Sequence, residues 1–378
     1  MISLVAVAEA EHRIIHRDPF AYCAHPHAVA LPGGDWLSVF NRAPRRTFIL
    51  HPPEEPEFRN VLVRSSDGGA TWSAPVVVPG YEWQGVECAG LTALAGGRVL
   101  LNQWRFRWYP LPTARLLAAA EDLVFPRELI EGLIASPEHE AEPGLRSMAE
   151  ALMPWARGND GAYVHLSDDE GATWPRTVRI DTAPFSGGYG MRGAIELPDG
   201  GLMLPLSDVP HYERVFVVHS SDRGESWAAP IAAASEPGKV FEEPCALVLP
   251  SGRILMLLRE NRSRYLHQVI SDDGGRSWSR PKATPIDGYP PHLLLLADDR
   301  ILCTYGYRRR DYSIRSVLSD NGGKTWDVGQ TFVISGGIAS RDLGYPCTLQ
   351  AEGGRLVSVY YAQGADAVTS IHSVSFCL

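Results

Sequence analysis

The 378-residue sequence has no apolar run long enough to cross a bilayer, and its N-terminal stretch lacks the basic start that opens a signal peptide. We therefore expect a cytoplasmic protein with no membrane partner. Positive charge is also scarce: 35 Lys and Arg residues against 44 Asp and Glu residues leave a net charge of −9. Nucleic acid is therefore not an expected partner.

Cysteine is scarce as well, and no two of the six cysteines form a Cys-x-x-Cys pair. We therefore interpret the thiols as reduced and buried. Nothing in the sequence calls for a cofactor, and the histidines show no spacing typical of metal ligands. The cysteines are Cys23, Cys88, Cys245, Cys303, Cys347 and Cys377.

What the sequence does contain is an eight-residue repeat with the pattern Ser-x-Asp-x-Gly-x-Thr/Ser-Trp, here called the Asp box. In a tight turn the Asp and Ser side chains bond backbone amides, Gly supplies a positive φ, and Trp packs over the turn. We therefore interpret the box aspartates as structural rather than catalytic. Five copies align without gaps, and only the last has Asn in place of Asp: SSDGGATW (65–72), SDDEGATW (167–174), SSDRGESW (220–227), SDDGGRSW (271–278) and SDNGGKTW (319–326).

A second repeat alternates with the boxes and consists of two apolar strands joined by a short turn. Each hairpin supplies strands A and B of a four-stranded blade, and the following Asp box joins strands C and D. The pattern predicts an all-β fold, a six-bladed β-propeller in a single domain of residues 1–378. The six hairpins are residues 27–42, 88–104, 192–208, 243–260, 291–307 and 345–361.

Two departures from the repeat complete the predicted architecture. The sixth hairpin is followed by one apolar segment (368–376) but by no box, so the N-terminal residues are expected to supply the missing strand and close the ring. The interval between the first two boxes is about twice the others but holds only one hairpin. We therefore predict a helical insertion at residues 105–158, between strands B and C of the second blade.

Strand direction indicates which face carries function. The boxes and the A–B turns lie on one face, whereas strand A begins and strand B ends on the other, at the mouth of the central channel. The helical insertion rises on that second face, where it can wall a binding site or contact another copy of the chain in a homo-oligomer. The polar residues predicted to bind substrate there are His25, His27, Arg42, Glu87, Arg192, Glu242, His292, Arg308 and Asp342.

Five Asp boxes interleaved with six hairpins resemble the sialidase superfamily over nearly the whole chain. Two segments extend the resemblance to catalytic residues: FEEPCALVLPSGRILMLLREN (241–261) and DLGYPCTLQAEGGRLVSVYY (342–361). The resemblance implies that Tyr345 is a nucleophile, that Glu243 assists it as a base, and that Arg259 binds a sugar carboxylate. It also implies a second carboxylate-binding arginine in YRRRDYSIRSVLSDNGGKTW (307–326), either Arg308 or Arg310.

Two family features are missing. Sialidases begin their first A strand with Arg-Ile-Pro, but the matching residues here are Ala24-His25-Pro26, and Arg42 replaces that arginine only in part. The acid/base aspartate after the first hairpin is also absent, since that segment offers only glutamates. Loss of one charged hydrogen-bond partner costs about 1.5–3 kcal/mol, and loss of the acid forfeits roughly 10²–10⁴-fold in rate. A conventional sialidase is therefore not expected.

Three functions remain open. The first is hydrolysis of an acidic or modified glycan, with Glu87, Glu242 or a histidine as the acid. The second is a polysaccharide lyase for a uronate-containing glycan, in which histidines and Tyr345 exchange protons while Arg259 neutralises the carboxylate. The third is a non-catalytic propeller that binds a glycan or a protein through an aromatic rim. The rim residues are Trp83, Trp104, Trp108 and Tyr109.

Overall fold

The computed structural model describes residues 3–46, 55–78, 84–119, 123–128, 149–151, 153–210 and 212–378. Within these ranges the chain forms six sheets of four or five strands each, one for each predicted blade. The fold is therefore the six-bladed β-propeller that the repeat predicts. Helix is minor, and the longest described helix is α1 (Leu111–Leu117).

Twenty-seven strands make up the described sheets. They are β1 (Ser3–Ala6), β2 (Ala8–Arg17), β3 (Ala21–Ala30), β4 (Trp36–Pro44), β5 (Arg59–Ser65), β6 (Val76–Val77), β7 (Gly90–Ala93), β8 (Val99–Pro110), β9 (Leu123–Val124), β10 (Trp155–Ser167), β11 (Arg176–Ile180), β12 (Gly188–Tyr189), β13 (Ile195–Glu196), β14 (Leu202–Asp208), β15 (Val215–Ser220), β16 (Ile231–Ala234), β17 (Phe241–Val248), β18 (Ile254–Glu260), β19 (Tyr265–Ser271), β20 (Lys282–Asp287), β21 (Pro291–Leu295), β22 (Ile301–Tyr307), β23 (Ser313–Ser319), β24 (Gln330–Ser335), β25 (Leu343–Gln350), β26 (Leu356–Gln363) and β27 (Thr369–Cys377).

The core lies between neighbouring blades, because each sheet packs a face against the next one. Strand B is therefore buried on both faces, and its sequence is an apolar run rather than an alternation, as in ILMLLRE of β18. One such layer joins Leu257 of the fourth blade to Cys303 and Val317 of the fifth. All six cysteines are free thiols, and every one except Cys377 is buried. No helix among the described residues has the length and hydropathy needed to cross a membrane.

The N-terminal segment closes the ring, as the missing sixth box predicts. Strand β2 pairs antiparallel with β27 and becomes the outer strand of the sixth blade. Strand β1 goes further and pairs in parallel with β24, at the outer edge of the fifth blade. One continuous segment therefore joins two blades and covers two sheet edges, an arrangement that removes unpaired backbone groups. The addition of β1 to the fifth blade was not predicted.

The Asp boxes form the hydrogen bonds that their residue types predict. In the second box, Asp169 accepts bonds from the backbone N–H of Thr173 at 2.8 Å and from its hydroxyl at 2.6 Å. Ser167 also donates to this carboxylate, at 2.6 Å. These donors lower the pKa of Asp169 to about 2. The carboxylate is thus fully engaged in the turn, and its role is structural.

The fifth box shows how an amide fits the same turn. Asn321 accepts the backbone N–H of Thr325 at 2.9 Å, but its amide donates to the Thr325 hydroxyl at 2.6 Å. We therefore expect Asp169→Asn to fold and to lower the melting temperature by only a few degrees at pH 7. A carboxylate with a lowered folded-state pKa stabilises above its unfolded pKa, near 4, and loses that contribution as the pH falls towards about 2. Melting curves of both proteins should converge in that window, and a constant difference would contradict the assignment.

Contacts between blades place the boxes on the same face as the A–B turns. Glu170 of the second box accepts the backbone N–H of Gly33, in the A–B turn of the first blade, at 3.0 Å. Arg223 of the third box donates to the carbonyl of Ala95, in the A–B turn of the second blade, at 2.6 Å. The beginnings of the A strands therefore lie on the opposite face, where the candidate site was predicted.

Two predicted elements differ in extent. Strand A of the third blade is interrupted between β12 and β13, where the backbones of two blades come so close that a Cβ on Gly193 would lie 1.9 Å from the Leu91 carbonyl oxygen. The predicted helical insertion at 105–158 is also shorter at both ends, because β8 continues to Pro110 and β10 begins at Trp155. Most of the remaining insertion, and with it the predicted homo-oligomer contact, lies outside the described residues.

Candidate functional site

Three A strands carry the same backbone irregularity at the mouth of the channel. Strands β3, β17 and β25 each have a bulge at a residue that precedes proline: His25, Glu243 and Tyr345. All three residues have positive φ, at 55°, 51° and 49°. Such a backbone conformation is strained for a residue with a side chain, and bulges re-aim side chains near active sites. The bulges turn these three side chains towards one another.

Tyr345 and Glu243 form the centre of the site. The Tyr345 hydroxyl donates a hydrogen bond to Glu243 Oε1, and both residues are buried. The other carboxylate oxygen of Glu243 accepts Nη1 of Arg259 at 2.9 Å. Burial, together with the charge of Glu243, raises the pKa of Tyr345 well above its ordinary value. The tyrosine is therefore neutral at rest, with its proton directed at a carboxylate.

Arg259 also holds a second glutamate. Its Nε lies 3.2 Å from Glu242 Oε1 and donates to Asn261 Oδ1 at 2.7 Å. Burial raises the pKa of Glu242, although Arg259 opposes that shift. Burial alone would lower the pKa of Arg259, but the two glutamates outweigh it and raise that pKa. The guanidinium is therefore a fixed cation between two buried carboxyl groups.

A second arginine also lies close to the Tyr289 ring. The Arg259 guanidinium carbon is 4.2 Å from the centre of the Tyr289 ring, and that of Arg308 is 5.4 Å from it. Arg308 donates through Nε to the Leu343 carbonyl at 2.8 Å, which fixes its direction. Its guanidinium carbon is also 5.7 Å from the Tyr345 ring. Two cations therefore lie close to the Tyr289 ring, and guanidinium groups are strong hydrogen-bond donors to a carboxylate.

Asp342 completes the wall beside Arg308. Its Oδ1 accepts the hydroxyl groups of Tyr22 at 2.9 Å and Tyr361 at 3.0 Å. Burial raises the pKa of Asp342, while these two donors and Arg308 oppose the shift. Both hydroxyl groups thus donate to Asp342. This indicates that the carboxylate positions Tyr22 and Tyr361 rather than exchanging protons with a substrate.

His25 packs directly against the nucleophile candidate. The centre of its ring lies 4.2 Å from that of Tyr345 and 5.2 Å from that of Tyr361. Its Nδ1 lies 3.0 Å from Asn41 Nδ2, and Asn41 Oδ1 in turn accepts Nδ2 of Asn60 at 2.7 Å. Because the second bond fixes the orientation of the Asn41 amide, its Nδ2 must donate to His25. The proton of neutral His25 therefore lies on Nε2.

This bond is the last of a buried chain that crosses two blades. Asn60 Oδ1 accepts Nε2 of Gln103 at 2.7 Å, and Gln103 Oε1 lies 2.6 Å from Nε2 of His165. Nδ1 of His165 lies 2.8 Å from the hydroxyl of Thr177. Burial lowers the pKa of His165 to about 3, so this imidazole is neutral and donates in the same direction as the others. The chain therefore fixes the tautomer of His25 from a distance.

A search of protein families matches residues 149–359 to the BNR repeat-like domain. This match spans more than half of the chain and contains four of the five Asp boxes completely. The chain belongs to the BNR repeat-like family of the sialidase superfamily. Tyr345 and the pair of Glu243 and Arg259, which the resemblance implies in two separate segments of the sequence, lie in contact with one another in the structure.

Solved structures show the same fold for this BNR repeat-like protein. A protein of unknown function from Dyadobacter fermentans superposes with a TM-score of 0.79 at 22% identity, with 97% of each chain covered. The NanB sialidase from Streptococcus pneumoniae gives 0.67 at 12% identity, over 96% of this chain and 70% of the sialidase. The intramolecular trans-sialidase from Ruminococcus gnavus gives 0.66 at 15% identity, over 97% and 96%. No curated protein matches the sequence. Identities this low establish the fold alone.

Of the predicted substrate-binding residues in the BNR repeat-like protein, Arg42 does not join the site. It follows Asn41 in β4, and successive side chains of a strand point to opposite faces. Asn41 points at His25, so Arg42 points outward, where Nη2 pairs with Asp18 Oδ2 at 2.6 Å. The prediction that Arg42 partly replaces the missing arginine is therefore wrong.

Glu87 does lie beside the site. It is buried at the start of the second blade, and the Tyr212 hydroxyl is 3.5 Å from its Oε2. Burial and, next, the charge of Glu87 raise the pKa of Tyr212, to which Glu242 and Glu243 contribute as well. Glu87 therefore approaches the two glutamates of the fourth blade from a different side.

Three other predicted residues are placed deeper in the central channel. His27, Arg192 and His292 line a cavity whose wall includes none of Glu243, Arg259 and Tyr345. The bulges explain this separation. They turn His25 and Tyr345 into the site, whereas His27, two residues after His25, points into the channel. These three residues accordingly belong to another part of the central channel.

Two of the four residues of the predicted aromatic rim belong to the core. Trp104 is 1% exposed and Trp108 is 6% exposed, so neither can stack on a sugar. Each packs edge-to-face on Phe106, and Trp104 Nε1 donates to Asn159 Oδ1 at 2.9 Å. Trp83 lies outside the described residues. These two tryptophans therefore do not form an exposed surface that could bind a glycan or a protein.

The sequence also leaves several partners unpredicted. These residues carry no motif of their own, because their importance depends on contacts between blades. The available signal was position, since Asn41 and Asn261 lie where strand B ends, as the predicted arginines do. The residues missed are Tyr22, Asn41, Asn60, Gln103, His165, Tyr212 and Asn261.

Proposed function

We propose that this protein is a glycoside hydrolase for a glycan with an acidic group, and that Tyr345 is its nucleophile. The observation that carries the proposal is the hydrogen bond from the Tyr345 hydroxyl to Glu243, a carboxylate that Arg259 fixes in place. Covalent catalysis needs a nucleophile in contact with a base, and a third group that orients the base.

The first step forms one bond and breaks one. The Tyr345 oxygen bonds to the anomeric carbon of the sugar while its proton passes to Glu243 Oε1. The bond from the anomeric carbon to the leaving oxygen breaks, and that oxygen takes a proton from an acid. In the second step water attacks the anomeric carbon and gives a proton to the group that acted as the acid, which is thereby restored. The bond from Tyr345 to the anomeric carbon breaks, Tyr345 recovers its proton from Glu243, and the sugar is released with its configuration retained.

Substrate selection follows from charge. Arg259 and Arg308 present two guanidinium groups close to the Tyr289 ring, and both can donate to a carboxylate in a partly dry site. Where sialidases have a third arginine, this chain places the His25 ring. We infer a substrate whose acidic group is bound by two cations and an imidazole N–H rather than by three arginines.

The acid is assigned to Glu87. Glu242 comes from the same strand as Glu243, the partner of Tyr345, whereas Glu87 reaches the site from the second blade. Acid and nucleophile must lie on different sides of the scissile bond, which favours a residue from a separate blade. Glu87→Gln should therefore reduce the rate of hydrolysis by roughly 10²–10⁴-fold for substrates with poor leaving groups. The rate for substrates with activated aryl leaving groups should change little.

The experiment is a product analysis with three substrate classes: aryl sialosides, aryl uronides and neutral aryl glycosides. Release of free sugar from an acidic substrate, with the leaving-group dependence of Glu87→Gln, is the expected result. Glu242→Gln is the matched control, since it removes a neighbouring carboxyl group without removing the proposed acid. Equal losses on good and poor leaving groups in Glu87→Gln would contradict its assignment.

A lyase would give a different product and needs its catalytic groups in different protonation states. It requires a base that removes a carbon-bound proton, but the hydrogen-bond chain occupies His25 Nδ1 and places the proton on Nε2. Tyr345 is protonated as well. Both groups are thus donors at rest, which supports hydrolysis. An unsaturated uronate among the products would overturn this choice.

A further inference from the structure

The central channel holds a second polar cluster below the site. The A strands of all six blades line a cavity of about 360 Å³. Its wall is mainly Ala, Val, Ile and Leu and runs towards the A–B turns, on the Asp-box face. The polar groups Arg192, His27 and His292 gather at its inner end.

Arg192 brings an unneutralised charge into this cavity. The residue is 4% exposed, and its Nη2 donates to the carbonyl groups of Pro291 and Pro346, both at 2.9 Å. Its Nε and Nη1 are also buried and have no hydrogen-bond partner among the described residues. Glu196 lines the cavity as well but forms no ion pair with Arg192. A buried charge without a partner is costly, so a counter-ion is expected.

The groups around Arg192 cannot serve as that counter-ion. Burial raises the pKa of the Cys347 thiol to about 11 and that of Cys245 in the same direction, so neither is a thiolate at neutral pH. Burial, followed by the charge of Arg192, lowers the pKa of both His27 and His292. The two imidazoles are neutral. The cluster thus keeps one net positive charge.

The tautomers of the two histidines decide which ion fits. His27 Nδ1 accepts the backbone N–H of Leu91 at 3.0 Å, and His292 Nδ1 accepts that of Thr348 at 3.3 Å. Each neutral ring therefore carries its proton on Nε2.

A metal ion would need the opposite arrangement. Potential ligand atoms of His27, His292 and Cys347 do lie within 4.8 Å of one another. A cation at Nε2, however, requires a free lone pair there and a proton on Nδ1, directed at a backbone N–H. Protonated Nε2 atoms and a nearby guanidinium instead offer hydrogen-bond donors and positive charge.

We propose that the central channel binds one small monovalent anion, of halide size, between the Arg192 guanidinium and the Nε2–H of His27. The anion enters from the Asp-box face, separately from any glycan. It neutralises the residue through which the third blade bonds to carbonyl groups of the fifth and sixth blades across the channel. The anion is therefore a structural ligand of the closed ring, and this inference is independent of the proposed activity.

The test measures the melting temperature in chloride and in gluconate at constant ionic strength. Saturating chloride should raise the melting temperature of the full chain by roughly 2–4 °C, since a ligand that binds only the folded state stabilises it. Arg192→Met should remove the chloride effect. The matched control is Arg98→Met, because Arg98 is a largely buried arginine that is already paired with Asp168 and Glu225. This control should keep the effect.

Several results would overturn the proposal. They are a wild-type melting temperature that is equal in the two salts, an undiminished chloride effect in Arg192→Met, and stabilisation by Zn²⁺ that a His292 substitution removes. If Arg192→Met does not fold, crystals of the wild-type protein grown in bromide decide the question. An anomalous peak beside the Arg192 guanidinium is expected, and bromide found only elsewhere would contradict the site.

Discussion

Tyr345→Phe is expected to reduce turnover of an acidic glycoside by about 10³-fold or more, because the substitution removes the nucleophilic oxygen and keeps the ring. The ring still packs against His25, so the fold should persist. Turnover and circular dichroism of the purified variant check both expectations. KM should change little, since Arg259 and Arg308 still bind the acidic group.

The matched control is Tyr360→Phe. Tyr360 is the neighbour of Tyr361 in β26, is buried to the same degree as Tyr345, and donates its hydroxyl to Ser335 at 2.9 Å. Its loss removes a buried tyrosine hydroxyl outside the site, so activity should stay near that of the wild type. Equal activities of wild type and Tyr345→Phe would refute the assignment of the nucleophile.

Arg259→Leu is expected to lower the free energy of unfolding by about 3–5 kcal/mol at pH 7, because it leaves Glu242 and Glu243 buried without their cation. The deficit should shrink in acid, where protonated carboxyl groups need no cation. Urea unfolding at several pH values measures both effects. Activity should disappear together with the carboxylate-binding group.

Arg309→Leu is the control for this experiment. Arg309 pairs with Asp287 at 2.7 Å, but both side chains are about one-third exposed, and such pairs contribute about 0–1 kcal/mol. The same chemical change at the surface should therefore have little effect on stability. A similar loss in both variants would mean that burial of the Arg259 cluster is not the cause.

The architecture was predictable because it repeats. Each Asp box combines turn residues in an order that few other structures need, and the alternation of boxes with apolar hairpins indicates strand order and face without coordinates. Ring closure by β2 followed from the missing sixth box. Strand β1 was not predictable in the same way, since its short, exposed pairing with β24 has no counterpart in the repeat.

The site was predictable only in part, because side-chain direction depends on the bulges. Glu243 and Tyr345 were found through motifs, and each precedes a proline at the start of an A strand. His25 also precedes a proline, but the bulge there was not predicted, and alternation alone cannot show that His25 enters the site while His27 enters the channel. Arg42 was misplaced for a related reason, since its direction follows from that of Asn41.

The helical prediction shows a different limit. Residues 105–110 contain five aromatic or arginine residues that suit either a strand or a helix, and the pairing of β8 with β10 decides the outcome. That pairing joins segments separated by more than forty residues. Composition within the insertion could not reveal it.

The claim that Tyr345 attacks the sugar is tested most directly by mass spectrometry of the protein quenched during turnover of an acidic aryl glycoside. The mechanism predicts a mass increase of one glycosyl unit, located on the peptide that contains Tyr345 and absent from Tyr345→Phe. Steady turnover with no adduct on that peptide, together with full activity of Tyr345→Phe, would contradict the mechanism.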